Sequence, residues 1–334
     1  MRKGLLTASV LALLMSSNQP HFETEEIRKP RVVVSASPLN YDTIKSTILD
    51  LGISVDEEHS YLVPGSEKIV IHVPDRHGYI LPEVVEQLHR QKEQDIGNLL
   101  THLPIDALGL ESFVGTITPQ EFSMAQQRYV QSNLSHVQHN QVIAAELEQY
   151  VQLLSAHGIQ EYENALTNLA TGVLNARQPS AEVLDFYVVA FYGKKALFGL
   201  EKPDHINIAK SLAMAIFYET VSSNAKILRN VFEQNKKYLQ DHPELMVVKE
   251  KINTWASVVE RELERHWQIL RSYGVSQLSE KRFKEYVYEQ REQDWAENIS
   301  SQPGNLFLTV GGKKHSQGYV QQLTQRDISV ITLE

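Results

Sequence analysis

The chain has 334 residues, 42% of them hydrophobic, and no cysteine. That length can bury one large core or two smaller ones, and the missing cysteine excludes disulfides, thiolate metal sites, a cysteine nucleophile and a lipid-modified N-terminal cysteine. The net charge is −9, with acid and base mixed along the chain and no basic stripe, which argues against nucleic acid as a partner.

Arg2 and Lys3 form a short positive segment, and Gly4 to Met15 is uncharged and mostly apolar. Small residues follow at Ser16 and Ser17, so residues 1–17 read as a secretory signal peptide and the mature chain as secreted, periplasmic or otherwise extracytoplasmic. The apolar run is short for a transmembrane span, and no later segment could cross a membrane. Residues 18–30 are polar and read as a disordered lead-in.

"RVVVSAS" (Arg31 to Ser37) is β-branched and predicts a strand. "YDTIKSTILDLG" spaces Ile44, Ile48, Leu49 and Leu51 as a helix does and stops at Gly52. "EKIVIHV" (Glu67 to Val73) predicts a second strand, broken at Pro74-Asp75-Arg76-His77-Gly78. A helix follows with Leu81, Val84, Val85 and Leu88 on one face. "DALGLES" (Asp106 to Ser112) is nearly continuous in apolar character, as a buried parallel strand is.

From about 120 to 288 the pattern is almost wholly helical. Val142, Leu147, Val151 and Leu154 mark one apolar face, and a break falls near "QDHPEL" (Gln240 to Leu245). "YGKKALFGLEKPD" (Tyr192 to Asp204) interrupts the block as a strand and loop, with "GLEKPD" a candidate site loop. The C-terminus returns to α/β: "REQDWAENI" is helical, "NLFLTVGG" a strand, "SQGYVQQLTQR" a helix and "DISVITLE" a strand. This βαβ unit implies parallel pairing. The expected fold is α/β: a mixed, largely parallel sheet flanked by helices, one domain over 31–334 with a large helical insertion in the middle.

Ionisable residues gather at the predicted strand ends: Asp75, Arg76 and His77 after the second strand, Glu111 after the third, His315 after Gly311-Gly312. Carboxyl ends of parallel strands lie along one edge, where ligands bind. Two imidazoles and a carboxylate, His77, His315 and Glu111, are the ligand set of an open metal site. The same groups without metal can deprotonate a water for ester or amide hydrolysis. Arg291, Asp294, Trp295 and Asn298 share one helical face, and Arg291 is positioned to hold an oxyanion or to pair with Glu111. Structural roles stay open for each: a turn for His77, a structural ion pair for Glu111, a surface salt bridge for Arg291. His72, His102, His136, His139 and His157 show no compelling ligand spacing. No nucleophile elbow, Walker loop or dinucleotide fingerprint is present, which lowers serine-hydrolase and nucleotide-binding readings.

In order, Pro74-Asp75-Arg76-His77, Leu110-Glu111-Ser112-Phe113, Arg291 to Asn298, and Gly312-Lys313-Lys314-His315 followed by Gly318 and Leu323 resemble a known superfamily. It groups the Tiki and TraB proteins with the ChaN-type haem-binding proteins and the erythromycin-esterase-like hydrolases. Its motifs are Gly-x-x-His, a strand ending in Leu-Glu, an Arg-Asp-x-x-Met-Ala-like helix and a second Gly-x-x-His. Pro74 stands in place of the first glycine, and Asp75 in place of the usual glutamate. The resemblance covers segments in the first half and at the C-terminus, and leaves the helical middle unmatched.

The resemblance implies a site on the carboxyl edge of an α/β sheet, built from Asp75, His77, Glu111, Arg291 and His315. It implies an exported hydrolase acting on an amide or ester in a small-molecule or peptide substrate. Such an enzyme uses either a divalent metal (zinc, manganese or cobalt) on His77, Glu111 and His315, or His/Glu chemistry alone. The alternative is a non-enzymatic haem- or ligand-binding protein of the ChaN type.

Overall fold

The computed structural model describes residues 40–75, 82–159, 162–176 and 195–334. The expected signal peptide, lead-in and Arg31–Ser37 strand, and also His77, lie outside the described residues.

The helices are α1 (Tyr41–Asp50), α2 (Pro82–His102), α3 (Pro119–Ala156), α4 (Glu163–Asn175), α5 (Pro203–Gln234), α6 (Lys236–Asp241), α7 (Pro243–Ser272), α8 (Glu280–Lys284), α9 (Gln290–Ser301) and α10 (Ser316–Thr324). The strands are β1 (Val55–Tyr61), β2 (Lys68–Asp75), β3 (Ala107–Val114), β4 (Thr116–Ile117), β5 (Ala196–Glu201), β6 (Leu306–Gly312) and β7 (Ile328–Leu333). Among the described residues one sheet of seven strands has the order β1-β7-β2-β6-β3-β5-β4. β7, β2, β6, β3 and β5 run parallel, and β1 and β4 close the two edges antiparallel. This is the expected mixed, largely parallel α/β sheet flanked by helices.

The residues fall into two compact units. The sheet unit takes 40–75, 82–126, 195–206 and 288–334 of the described chain. Its central strands are buried on both faces, so they read as apolar runs rather than alternations. Ile69, Ile71, Val73, Leu306, Leu308 and Val310 turn to one face, where Ile44 and Ile48 of α1 and Ile96 and Leu99 of α2 pack. Val70, Phe307 and Val330 turn to the other, against Trp295, Ala296 and Ile299 of α9 and Tyr319 and Leu323 of α10. Asn40 caps α1 by accepting from Thr43 N–H at 2.8 Å, and Gly52 ends the turn at φ 76°.

The helical unit takes 127–159, 162–176 and 207–287 of the described chain. Leu245, Val248, Ile252, Trp255 and Val259 recur at alternating steps of three and four along α7 and share a core with α3, α4 and α5. Gly172 lets α4 approach closely: a Cβ there would lie 2.6 Å from Val221 Cγ1 and 3.0 Å from Val259 Cγ2. On α3 the buried face runs through Ile143, Leu147, Tyr150 and Leu154, while Val142 is exposed.

Two details of the expected topology change. β6 and β7 are parallel but not neighbours; β2 lies between them and pairs with both. The crossover through α10 therefore skips a strand. Second, β2 does not stop at Val73 but continues through Pro74 to Asp75, opposite Gly311 and Gly312. Pairing with β7 ends at His72, and the Pro74 carbonyl accepts from Lys92 Nζ. Proline's missing N–H is tolerated where the ladder has ended on one side. β1 and β4 went unseen in the sequence because β1 (VDEEHSY) is polar and β4 has two residues.

Candidate active site at the carboxyl edge of the sheet

The parallel strands β2, β3, β5 and β6 end along one edge, and the two carboxylates described there, Glu111 and Glu201, are not free. Glu111, at the end of the regular part of β3, and Glu201, the last residue of β5, are both buried. α9 brings Arg291 between them. Arg291 Nη2 donates to Glu111 Oε1 and to Glu201 Oε1, each at 2.5 Å, and Nε donates to Glu201 Oε1 at 3.0 Å. The second oxygen of Glu111 accepts from the Gly312 backbone N–H at 2.5 Å. Burial works against the Arg291 charge, but Glu201 and then Glu111 outweigh it and hold its pKa above the ordinary value. Such a group breaks even at best against apolar packing, yet removing one member leaves a buried charge uncompensated.

His315 sits where β6 ends. The glycine pair makes this approach possible: a Cβ on Gly311 would lie 2.7 Å from the Trp295 ring. After Gly312 a single 3₁₀ turn, Lys313–His315, leads into α10 and buries the imidazole. His315 Nδ1 lies 3.1 Å from Glu292 Oε1, and Nε2 lies 3.3 Å from Arg291 Nη1. A guanidinium N–H only donates, so Nε2 accepts and Nδ1 carries the ring proton toward Glu292. The imidazole also rests against Trp295 at 4.9 Å and Tyr288 at 5.1 Å between ring centroids. Arg291 lies over the Trp295 ring at 5.5 Å. Trp295 Nε1 is buried with no hydrogen-bond partner among the described residues.

A second carboxylate of α9 is also paired with an imidazole. Asp294, almost fully buried, accepts from His205 Nδ1 at 2.7 Å and pairs with Lys202 Nζ at 3.2 Å. Both partners follow Glu201 in the chain, Lys202 just before α5 and His205 in its first turn, so "GLEKPD" and the next residue contact α9.

Of the residues expected in the site, Glu111, Arg291 and His315 come together, with Asp294 and Trp295 on the same helix. Asp75 ends β2 opposite Gly312, and its backbone alone is described. His77 lies outside the described residues. Glu201, Glu292 and His205 were missed. Glu201 had a signal: the same three residues, Gly109-Leu110-Glu111 and Gly199-Leu200-Glu201, close the regular part of β3 and the end of its neighbour β5. Glu292 had none, because it lies about 100° around the helix from Arg291, off the face the spacing selects. It is buried because α10 packs there and Gly318 leaves room; a Cβ on Gly318 would lie 1.9 Å from Glu292 Oε2.

A divalent cation on His77, Glu111 and His315 needs a carboxylate oxygen and an imidazole nitrogen turned to one point. Glu111 instead spends its oxygens on Arg291 and Gly312, and His315 Nε2 faces a guanidinium. The described donors therefore do not fit zinc, manganese or cobalt. Iron of a haem would meet the same guanidinium at His315. No described helix is long and apolar enough to cross a membrane. No family model, curated protein or solved structure matches this chain.

Proposed function

We propose that the sheet unit is a metal-independent hydrolase of a small-molecule or peptide ester or amide. The observation that carries this is the His315 ring, held at Nδ1 by Glu292 with its Nε2 lone pair turned to the Arg291 guanidinium. In the reaction a water takes the place beside Nε2. His315 removes its proton as the oxygen adds to the substrate carbonyl, and Glu292 stabilises the imidazolium that forms. Arg291 Nη1 donates to the developing oxyanion, its charge held by Glu201 and Glu111. The imidazolium then returns the proton to the leaving alcohol or amine, and the products are an acid and that alcohol or amine. Asp75 and His77, which the motif resemblance assigns to the end of β2, belong to the same proposal as substrate-side groups.

The test is a panel of chromogenic esters and amides, assayed with a chelator present. His315→Ala should lower kcat/KM by about 10²–10⁴-fold. Glu292→Gln should lower it as well, with the fold intact by circular dichroism. Turnover that survives His315→Ala, or vanishes on chelation, rules the proposal out.

A further inference from the structure

The helical unit holds a separate cluster that the sheet-edge chemistry does not use. His157 directly follows α3, His242 separates α6 from α7, and Glu244 lies in the first turn of α7. Each of the three offers one ligand atom, all within 4.8 Å of one another. His157 Nε2 is 3.0 Å from Glu244 Oε1, and His242 Nδ1 is 3.4 Å from the same oxygen. We infer that these three side chains form a site for a nitrogen-seeking divalent transition metal such as zinc.

Spacing is the first argument. Metal–nitrogen and metal–oxygen bonds of about 2.0–2.1 Å in a tetrahedron put neighbouring donors roughly 3.3 Å apart. The two distances to Glu244 already bracket that value.

Proton placement is the second. His157 Nδ1 lies 3.1 Å from the Tyr238 hydroxyl. With Nδ1–H donating to that oxygen, the Nε2 lone pair faces the Glu244 carboxylate. In that tautomer two acceptors face each other at 3.0 Å and a proton or a metal ion must lie between them; in the other, Tyr238 O–H donates to Nδ1 and Nε2–H donates to Glu244, a hydrogen bond that a metal ion would replace. A proton on each histidine would set two imidazolium rings 4.7 Å apart between centroids, where they repel. One metal ion satisfies all three donors at once. A hydrogen-bonded partner on the non-ligating ring nitrogen, here Tyr238, is the usual orienting contact of a metal-bound histidine.

Donor chemistry is the third. Two imidazoles and one carboxylate favour zinc, nickel or cobalt over magnesium or calcium. The side chains are 15% (His157), 34% (His242) and 42% (Glu244) exposed, which leaves the fourth position open to water. The ion would staple the end of α3 to the corner between α6 and α7, within the helical unit.

The test uses the full chain after chelator treatment and gel filtration. Calorimetric titration with zinc chloride should show one equivalent taken up, and magnesium chloride none. Cobalt should give the intense visible absorption of a four-coordinate ion in the wild type, a readout that needs no variant. His157→Ala combined with His242→Ala should abolish both signals, and Tyr238→Phe should weaken zinc roughly tenfold. Glu111→Gln should leave uptake intact, which separates this cluster from the sheet edge. No stoichiometric zinc uptake, uptake that survives the double variant, or a pale six-coordinate cobalt spectrum would overturn the assignment; the first outcome would mean that the cluster is a proton-held ion pair.

Discussion

The sheet unit and the helical unit each place an imidazole nitrogen against a glutamate oxygen, at 3.1 Å for His315–Glu292 and 3.0 Å for His157–Glu244. The contact is the same and the consequences differ. What separates them is the group facing the imidazole's second nitrogen and the water around the pair. His315 is buried and turns its second nitrogen to a guanidinium, which disfavours a further cation there and suits the base proposed above. His157 turns its second nitrogen to a tyrosine hydroxyl in a half-open corner with another histidine close by, which suits a cation. A count of histidines and carboxylates cannot tell a base from a ligand; the neighbouring charge can.

The largest effect that tests this contrast is in the sheet unit. Arg291→Ala strands Glu111 and Glu201, both buried, without their cation. Breaking such a group costs about 3–5 kcal/mol, read as a lower midpoint in urea unfolding. Glu244→Gln, measured with a chelator present, should leave the midpoint where it was, because that carboxylate is substantially open to water. Equal losses in the two variants would mean that burial does not distinguish the pairs.

A smaller effect compares two close approaches of glycine. Gly318→Ala drives a methyl into Glu292 Oε2, and Gly172→Ala drives one into Val221 and Val259. Each is overpacking worth about 1–3 kcal/mol. Gly318→Ala should also cut hydrolysis, because the carboxylate must swing away from His315, while Gly172→Ala should not. Assaying both at a temperature where both are folded separates lost stability from lost orientation.

The sequence carried most of the fold because its elements are long or strongly patterned. Apolar runs such as "KIVIHV" and "NLFLTV" announce buried parallel strands, and the step pattern of α7 announces a packed helix. Strand order was not legible. Nothing local in "NLFLTVGG" or "DISVITLE" says that β2 will slide between them. For the site, Glu111, Arg291 and His315 could be read because each ends or enters a patterned element. The partners that decide their chemistry could not, since Glu292 is buried only by packing of α10. The His157 cluster escaped for a related reason: His157 is far in sequence from His242 and Glu244, and all three sit at helix ends where periodicity says nothing.

The last prediction concerns a third imidazole, which is held by hydroxyl groups. His72 lies inside the sheet unit, with Nδ1 3.2 Å from Thr309 Oγ1, Nε2 3.2 Å from Ser316 Oγ and the Tyr319 ring standing edge-on at 5.2 Å. Burial away from water lowers its pKa from 6.5 to about 3. The unfolded chain therefore binds a proton there that the folded chain refuses, so His72 lowers stability as pH falls from 6.5 toward 3. A one-proton difference is worth at most about 1.4 kcal/mol per pH unit. Between pH 6.5 and 5.5 ordinary carboxylates stay ionised, so the His72 contribution can be read apart from theirs. His72→Gln keeps polar contacts to Thr309 and Ser316 and removes the titrating group, and it should flatten the pH dependence of unfolding in that interval. An unchanged slope would mean that His72 takes up its proton while folded. Burial alone would then not keep an imidazole in this unit neutral, and the Arg291 guanidinium beside His315 would be all that separates the sheet edge from the helical corner.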